Sequence, residues 1–207
     1  MFSLCFVTDR KALGKVSLLP GVVKSAVAGG VDAVILREKD IENTALLLLL
    51  AKKIKKAAGK AVFIVNGRCD IALAAGADGV HLTASSIAVK DARKILGKAK
   101  LIGKSCHSLK DAKKACNEGA DYIFVGPVFF TASKAKYGKP LGYGIISKIK
   151  KSIKIPVLGI GGIKKDNAET VMKTGADGVA VITGILKAKK PKKEAELYRG
   201  VIDGFRK

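Results

Sequence analysis

The chain has two histidines, His81 and His107, and only His107 stands among small polar residues, in Ser105-Cys106-His107-Ser108. Placed just after an apolar strand, Ser105 and His107 share one parity and can face the same pocket. Ser108 followed by Asp111 reads as the start of a helix, which sets His107 beside the positive helix end and favours its neutral, proton-accepting form. The chemistry this suits is general acid/base transfer of a proton. His81 lies inside an apolar run and reads as a packed, hydrogen-bonded residue.

Other candidates are binding groups. Arg37 and Lys39 alternate with Leu36 and Glu38, so both can reach one pocket as partners of an anion; the alternative is a surface pair between Arg37 and Glu38. Asn66, in Asn66-Gly67-Arg68, can hydrogen-bond a polar ring or simply make a turn. Gly159-Ile160-Gly161-Gly162-Ile163 allows close backbone approach, and Asp166-Asn167-Ala168-Glu169 after it reads as a helix cap with a supporting acid. Ile182-Thr183-Gly184 is a matching small turn, so Gly161, Gly162, Ile182 and Thr183 are the expected phosphate contacts. The long stretch from Gly126 to Gly144 carries Thr131, Ser133, Lys134, Lys136 and Lys139 among glycines and prolines, and reads as a substrate lid or a decorated surface loop.

These residues need a scaffold that gathers strand ends. Eight short apolar runs supply it: Leu4–Val7, Ala33–Leu36, Val62–Val65, Gly79–Leu82, Lys100–Gly103, Tyr122–Val125, Pro156–Ile160 and Gly178–Ile182. Helix-like segments lie between most of them, such as Ile41–Ala58 with Leu46, Leu50 and Ile54 four apart. Alternation of this kind predicts a parallel sheet, and eight evenly spread units predict a single (β/α)₈ TIM barrel spanning 1–207, ahead of an open doubly wound sheet. An internal echo supports it: Gly30-Val31-Asp32, Gly76-Ala77-Asp78, Gly119-Ala120-Asp121 and Gly175-Ala176-Asp177 each precede a strand, roughly two βα units apart.

Composition narrows the function classes. The 207 residues carry a net charge of +22, yet 48% are hydrophobic, so the chain has enough apolar surface to fold. The basic excess is lysine, with arginine only at Arg10, Arg37, Arg68, Arg93, Arg199 and Arg206, and there is no tryptophan. Base reading favours arginine forks and aromatic platforms, so a solvated lysine coat is expected and no specific nucleic-acid partner. Cys5, Cys69, Cys106 and Cys116 lack metal-ligand spacing and read as free thiols. Asp9 and Arg10 come too early for a signal peptide and Leu46–Leu50 is too short to span a bilayer, so a cytoplasmic protein with no membrane partner is expected. A homo-oligomer is left open.

Taken together, Leu36-Arg37-Glu38-Lys39, Val65-Asn66-Gly67-Arg68, Gly103-Lys104-Ser105-Cys106-His107-Ser108, Gly126-Pro127-Val128-Phe129 and Gly159-Ile160-Gly161-Gly162-Ile163 resemble the thiamine phosphate synthase and TenI superfamily over essentially the full chain. In synthases, which join a pyrimidine diphosphate to a thiazole phosphate, the resemblance implies magnesium held by two aspartates; Gly67 and Ser86 stand in those places, and Ile35 in that of a pyrimidine-contacting glutamine. Asp70 is nearby but belongs to the next helical turn. TenI-type thiazole tautomerases are resembled more closely, at Asn66-Gly67-Arg68, Asp70-Ile71-Ala72-Leu73 and Ser105-Cys106-His107-Ser108. That branch implies a metal-free proton shift from a non-aromatic carboxythiazole phosphate to its aromatic tautomer, with His107 moving the proton. Ser133 stands where that type can carry a cysteine, while Thr131, Ser133 and Lys134 are synthase-like. The expected reading is therefore a cofactor-free tautomerase, with Arg37, Lys39, Asn66, Ser105, Thr131, Ser133 and Lys134 on the substrate. The alternatives are a magnesium-dependent synthase and a non-catalytic paralogue that binds thiazole phosphate.

Overall fold

The computed structural model describes residues 1–131 and 138–205. Its strands are β1 (Leu4–Val7), β2 (Ala33–Leu36), β3 (Val62–Asn66), β4 (Gly79–Leu82), β5 (Leu101–Cys106), β6 (Tyr122–Val125), β7 (Val157–Ile160) and β8 (Gly178–Val181). Each pairs in parallel with the next, and β8 pairs with β1, so the sheet closes into a barrel. Around it run α1 (Arg10–Leu13), α2 (Leu19–Ala28), α3 (Thr44–Ala58), α4 (Cys69–Ala74), α5 (Val89–Leu96), α6 (Leu109–Asn117), α7 (Gly144–Lys150), α8 (Lys165–Met172), α9 (Thr183–Leu186) and α10 (Pro191–Asp203). The (β/α)₈ barrel is thus the observed architecture. Among the described residues no helix is long and apolar enough to cross a membrane, and all four cysteines are free.

Strand alternation splits the core in two. Leu4, Phe6, Val34, Leu36, Phe63 and Val65 face the helices, whereas Cys5, Ala33, Ile35, Ile64, Tyr122, Phe124 and Leu158 fill the barrel. Several expected boundaries move. The fifth strand runs to Cys106, so Ser105 and Cys106 end that strand rather than follow it, and Asn66 is the last residue of β3. The long helix begins at Thr44, not Ile41, because the Asn43 side chain accepts from the Leu46 amide at 2.9 Å. Its buried face is Leu47, Leu50, Ala51, Ile54 and Ala58; Leu46 lies on the solvent side. Finally, α8 starts at Lys165, ahead of the expected cap. The Asn167 side chain accepts from the Lys164 amide at 2.8 Å and donates to the Gly162 carbonyl at 3.1 Å.

The four echoed aspartates do more than mark turns. Asp32 accepts from the amide of Leu4, Asp78 from Phe63, Asp121 from Ile102 and Asp177 from Val157, at 2.6–2.8 Å. Each aspartate's own amide donates to the carbonyl of that same strand residue. Every odd-numbered strand is therefore clasped at its base by the aspartate that opens the next strand. Arg199, Arg93 and Lys150 add charged partners to Asp32, Asp121 and Asp177.

Inside the barrel, His81 is only 3% exposed. Its ring lies between Tyr122 and Phe124, with centroids 5.6 and 4.3 Å away. Gly103 makes room for Tyr122, since a Cβ there would stand 2.1 Å from the phenol ring. Burial, helped by the charge of Lys104, pushes the His81 imidazole from its ordinary value of 6.5 down to about 3.

Two outcomes follow from this packing. Asp121→Ala leaves the Ile102 amide without its carboxylate and is expected to cost about 1–3 kcal/mol, read as a lower denaturant midpoint. Between pH 3 and 6.5 the unfolded chain protonates the residue-81 imidazole and the folded chain does not, so the unfolded state binds more protons. The stability contribution of His81 therefore rises with pH across that window, by up to about 1.4 kcal/mol per pH unit, and is flat above it. Comparing urea unfolding of the wild type and His81→Asn at several pH values isolates the term, which the variant should lack.

Candidate active site

The C-terminal ends of the strands form one rim, and the expected site residues are spread around it in three groups. At the β7–β8 side, Gly161 and Gly162 have φ of +95° and +68°. A Cβ on Gly161 would stand 2.7 Å from Pro127, and one on Gly162 would stand 2.6 Å from the Phe130 carbonyl. The glycines therefore let the loop after β7 lie directly on the loop after β6. Two backbone bonds join these loops, from the Val128 amide to the Ile160 carbonyl (2.9 Å) and from the Phe129 amide to the Gly161 carbonyl (3.0 Å). On the neighbouring strand end, Ile182 packs against the barrel interior and Thr183 opens α9 at the surface.

The second group is centred on β5 and β6. Ser108 accepts from the Asp111 amide at 3.1 Å and starts α6, while the Asp111 carboxylate accepts from the His107 amide at 3.1 Å. This pair holds the His107 backbone at the helix start, as the sequence led one to expect. The ring, largely exposed at the rim, places Nδ1 2.6 Å from the Gly126 carbonyl. A carbonyl can only accept, so Nδ1 carries the hydrogen and the neutral ring presents the Nε2 lone pair. Gly126 adjoins Pro127, which packs on Gly161, so His107 and the glycine loop are joined through one segment of backbone. Ser105, two residues earlier, is half-buried and lies 2.9 Å from His81 Nε2.

The third group surrounds a cavity of about 330 Å³ beside β2, β3 and β4. Lys39, Asn66, Gly67, Arg68, Thr83 and Ser86 line it over an apolar floor of Leu36, Ile41 and Leu47. Gly67 and Ser86 face each other: a Cβ on Gly67 would lie 3.4 Å from Ser86 Oγ. That hydroxyl accepts from the Thr83 amide at 2.9 Å, so it shapes the turn after β4. Arg68 is paired with Asp70 of α4, and the guanidinium holds that carboxyl below its usual range.

Arg37 is not a partner of Glu38; its guanidinium reaches Asp9 at 3.5 Å. Glu38 turns the other way, accepting from Thr8 Oγ1 at 2.6 Å and from the Arg10 amide at 2.9 Å. Burial raises its pKa from the ordinary carboxylate value, against those hydrogen bonds. The sequence offers Glu38 only as an alternative surface partner of Arg37 and does not mark Thr8, although the alternation that sends Arg37 inward sends Glu38 outward. Thr131 is described, half-buried, at the end of the segment after β6, whereas Ser133 and Lys134, with residues 132–137 of the expected lid, lie outside the described residues. Among the described residues no three of His, Cys, Asp and Glu gather as a metal site.

Comparison with known proteins agrees with this architecture. Residues 4–185 match the family model described as thiamine monophosphate synthase. The thiamine-phosphate synthase of Clostridium acetobutylicum is 42% identical, with 97% of this chain and 95% of that protein covered. That of Clostridium botulinum (strain Loch Maree) is 44% identical, covering 89% of this chain and 90% of the relative. Among solved structures, the thiamine phosphate pyrophosphorylase of Pyrococcus furiosus superposes with a TM-score of 0.89 at 35% identity, covering 100% of this chain and 98% of that one. A 3-hexulose-6-phosphate synthase from Salmonella typhimurium, at 18% identity and a TM-score of 0.72, shares the fold, covering 99% of this chain and 100% of that one. With the barrel, its rim and these relatives in agreement, the chain belongs to the thiamine monophosphate synthase family and is an enzyme of thiamine biosynthesis.

Proposed function

We propose that this family member acts on a thiazole phosphate and catalyses a metal-independent proton shift, turning a non-aromatic carboxythiazole phosphate into its aromatic tautomer. The observation that carries the reading is the hydrogen bond from His107 Nδ1 to the Gly126 carbonyl, which leaves Nε2 as a proton acceptor at the barrel mouth. In this reading Nε2 takes a proton from one carbon of the substrate, the exposed imidazolium exchanges with solvent, and Nε2 then delivers a proton to another carbon as the ring becomes aromatic. The backbone of Gly161–Gly162 and Ile182–Thr183 holds the phosphate, and the ring end extends toward Ser105, Asn66 and the Lys39 side of the rim. Arg37, Lys134, Thr131 and Ser133 serve anionic or polar groups of the same ligand. A net charge of +22 favours the approach of such an anion.

The residues present do not fit the magnesium site of the synthase branch. Magnesium is held through carboxylates and water, but the two positions that the family resemblance implies carry Gly67 and Ser86, and Ser86 is engaged by Thr83. The carboxylate of the adjoining cavity, Glu38, is occupied by Thr8 and Arg10. Residues 132–137 and 206–207 contain no Asp or Glu. The donor chemistry therefore supports proton transfer by side chains.

The names of the relatives favour a second reading, the coupling of a pyrimidine diphosphate to thiazole phosphate. The two are separated by assaying both reactions side by side, with and without magnesium. The proposal expects tautomerisation that survives chelation, and a fall in kcat of roughly 10²–10⁴-fold in His107→Gln with KM little changed. Magnesium-dependent formation of thiamine phosphate, with no tautomerisation, would replace it by the second reading.

A further inference from the structure

Three polar groups run in a line from the closed interior of the barrel to its mouth. Tyr122 Oη lies 3.2 Å from His81 Nδ1, and His81 Nε2 lies 2.9 Å from Ser105 Oγ. Tyr122 is fully buried, His81 nearly so, and Ser105 half-buried at the rim. Phe2 packs edge-on against the Tyr122 ring at 4.9 Å, and Phe124 lies against His81, so apolar rings flank the line. Among the described residues, Tyr122 Oη has His81 as its hydrogen-bond partner, and Ser105 Oγ has no other.

Hydrogen counting fixes the direction of the line. A neutral imidazole has one N–H and one lone pair. If Nδ1 held the hydrogen, the phenol would accept, and its own O–H would be sealed inside the barrel without an acceptor. That arrangement costs the full desolvation of a buried donor. If instead the phenol donates to Nδ1, the hydrogen sits on Nε2 and is donated to Ser105 Oγ. The serine then has its acceptor role filled from below, and its own hydrogen turns toward the barrel mouth.

We infer that Tyr122 and His81 are positioning residues that polarise Ser105, so that the rim presents a hydroxyl donor to an acceptor atom on the ring end of the ligand. The acceptor class is a ring nitrogen or a carboxylate oxygen. The inference rests on the proposed function only for the identity of that ligand; the direction of the line is a property of the unliganded protein. The two histidines are thereby set in opposite tautomers, His107 with its hydrogen on Nδ1 toward Gly126 and His81 with its hydrogen on Nε2 toward Ser105. One serves the proton transfer and the other the orientation of the ring.

The direct test is long-range proton–nitrogen NMR of the ¹⁵N-labelled protein, with His81 and His107 distinguished by the His81→Asn variant. The expected result is a protonated Nε2 and a bare Nδ1 on His81; a protonated Nδ1 would overturn the inference. A second measurement follows the consequence for binding. In Tyr122→Phe the tautomer is no longer held, and affinity for the aromatic carboxythiazole phosphate should fall by roughly 5- to 10-fold. Inorganic phosphate, held on the far side of the rim, should bind as in the wild type. Unchanged affinity for the carboxythiazole phosphate, or an equal loss for both probes, would also overturn it. Wild-type protein that bound no carboxythiazole phosphate would count against the functional reading, while the NMR spectrum would still decide the direction of the line.

Discussion

Closing β8 onto β1 is the constraint on which the rest of this molecule depends. Closure leaves no sheet edge, and it turns alternate residues of every strand into one shared interior. That interior is narrow, so its contents are fixed by complementary sizes. Gly103 yields the space that Tyr122 fills, and Phe2, Phe124 and Leu158 pack around it. Closure also needs each strand to start at the right height. The four aspartate clasps at the base meet that need, each linking the start of one odd strand to the next strand. A polar residue in such an interior must find all its partners there, which is why His81 remains neutral and bonded at both nitrogens.

At the other end, closure makes neighbours of loops distant in sequence, and the two sides of the rim develop different chemistry. Around β7 and β8 the contacts come from backbone, because glycines at 161 and 162 let two loops touch where side chains would collide. Around β2 to β5 they come from side chains: a serine, an asparagine, lysine and arginine. A ligand with a phosphate at one end and a heteroaromatic ring at the other matches this division. His107 stands between them, held by the same backbone segment that carries the Gly126 carbonyl and touches the glycine loop.

Much of this was legible in the sequence, and what was not has a physical reason. Six of the eight strand starts fall where the apolar runs place them, because a buried parallel strand must be apolar on both faces. The helix start at Thr44 was masked by the apolar Ile41 three positions before it; the deciding feature is one side-chain bond from Asn43. The Gly-x-Asp echo was visible as a repeat, but its purpose was not, since each aspartate's acceptor role is fulfilled on a strand 15 to 28 residues earlier. The placement of Ser108 at the start of a helix beside His107 was readable locally. The partner of His107 Nδ1 was not, because Gly126 arrives from the next βα unit. The bond between Thr8 and Glu38 escaped notice for the same reason: it spans 30 residues and joins two different strand ends.

The proposed reading requires that His107 transfer the proton at this site unaided by a metal. It is tested most directly by running the reaction of non-aromatic carboxythiazole phosphate in D₂O with excess chelator and following the product by NMR. The expected result is aromatic product formed at a rate unchanged by the chelator, with solvent deuterium at the newly protonated carbon and both turnover and labelling lost in His107→Gln. Turnover that stops on chelation, or that persists in His107→Gln, would contradict it.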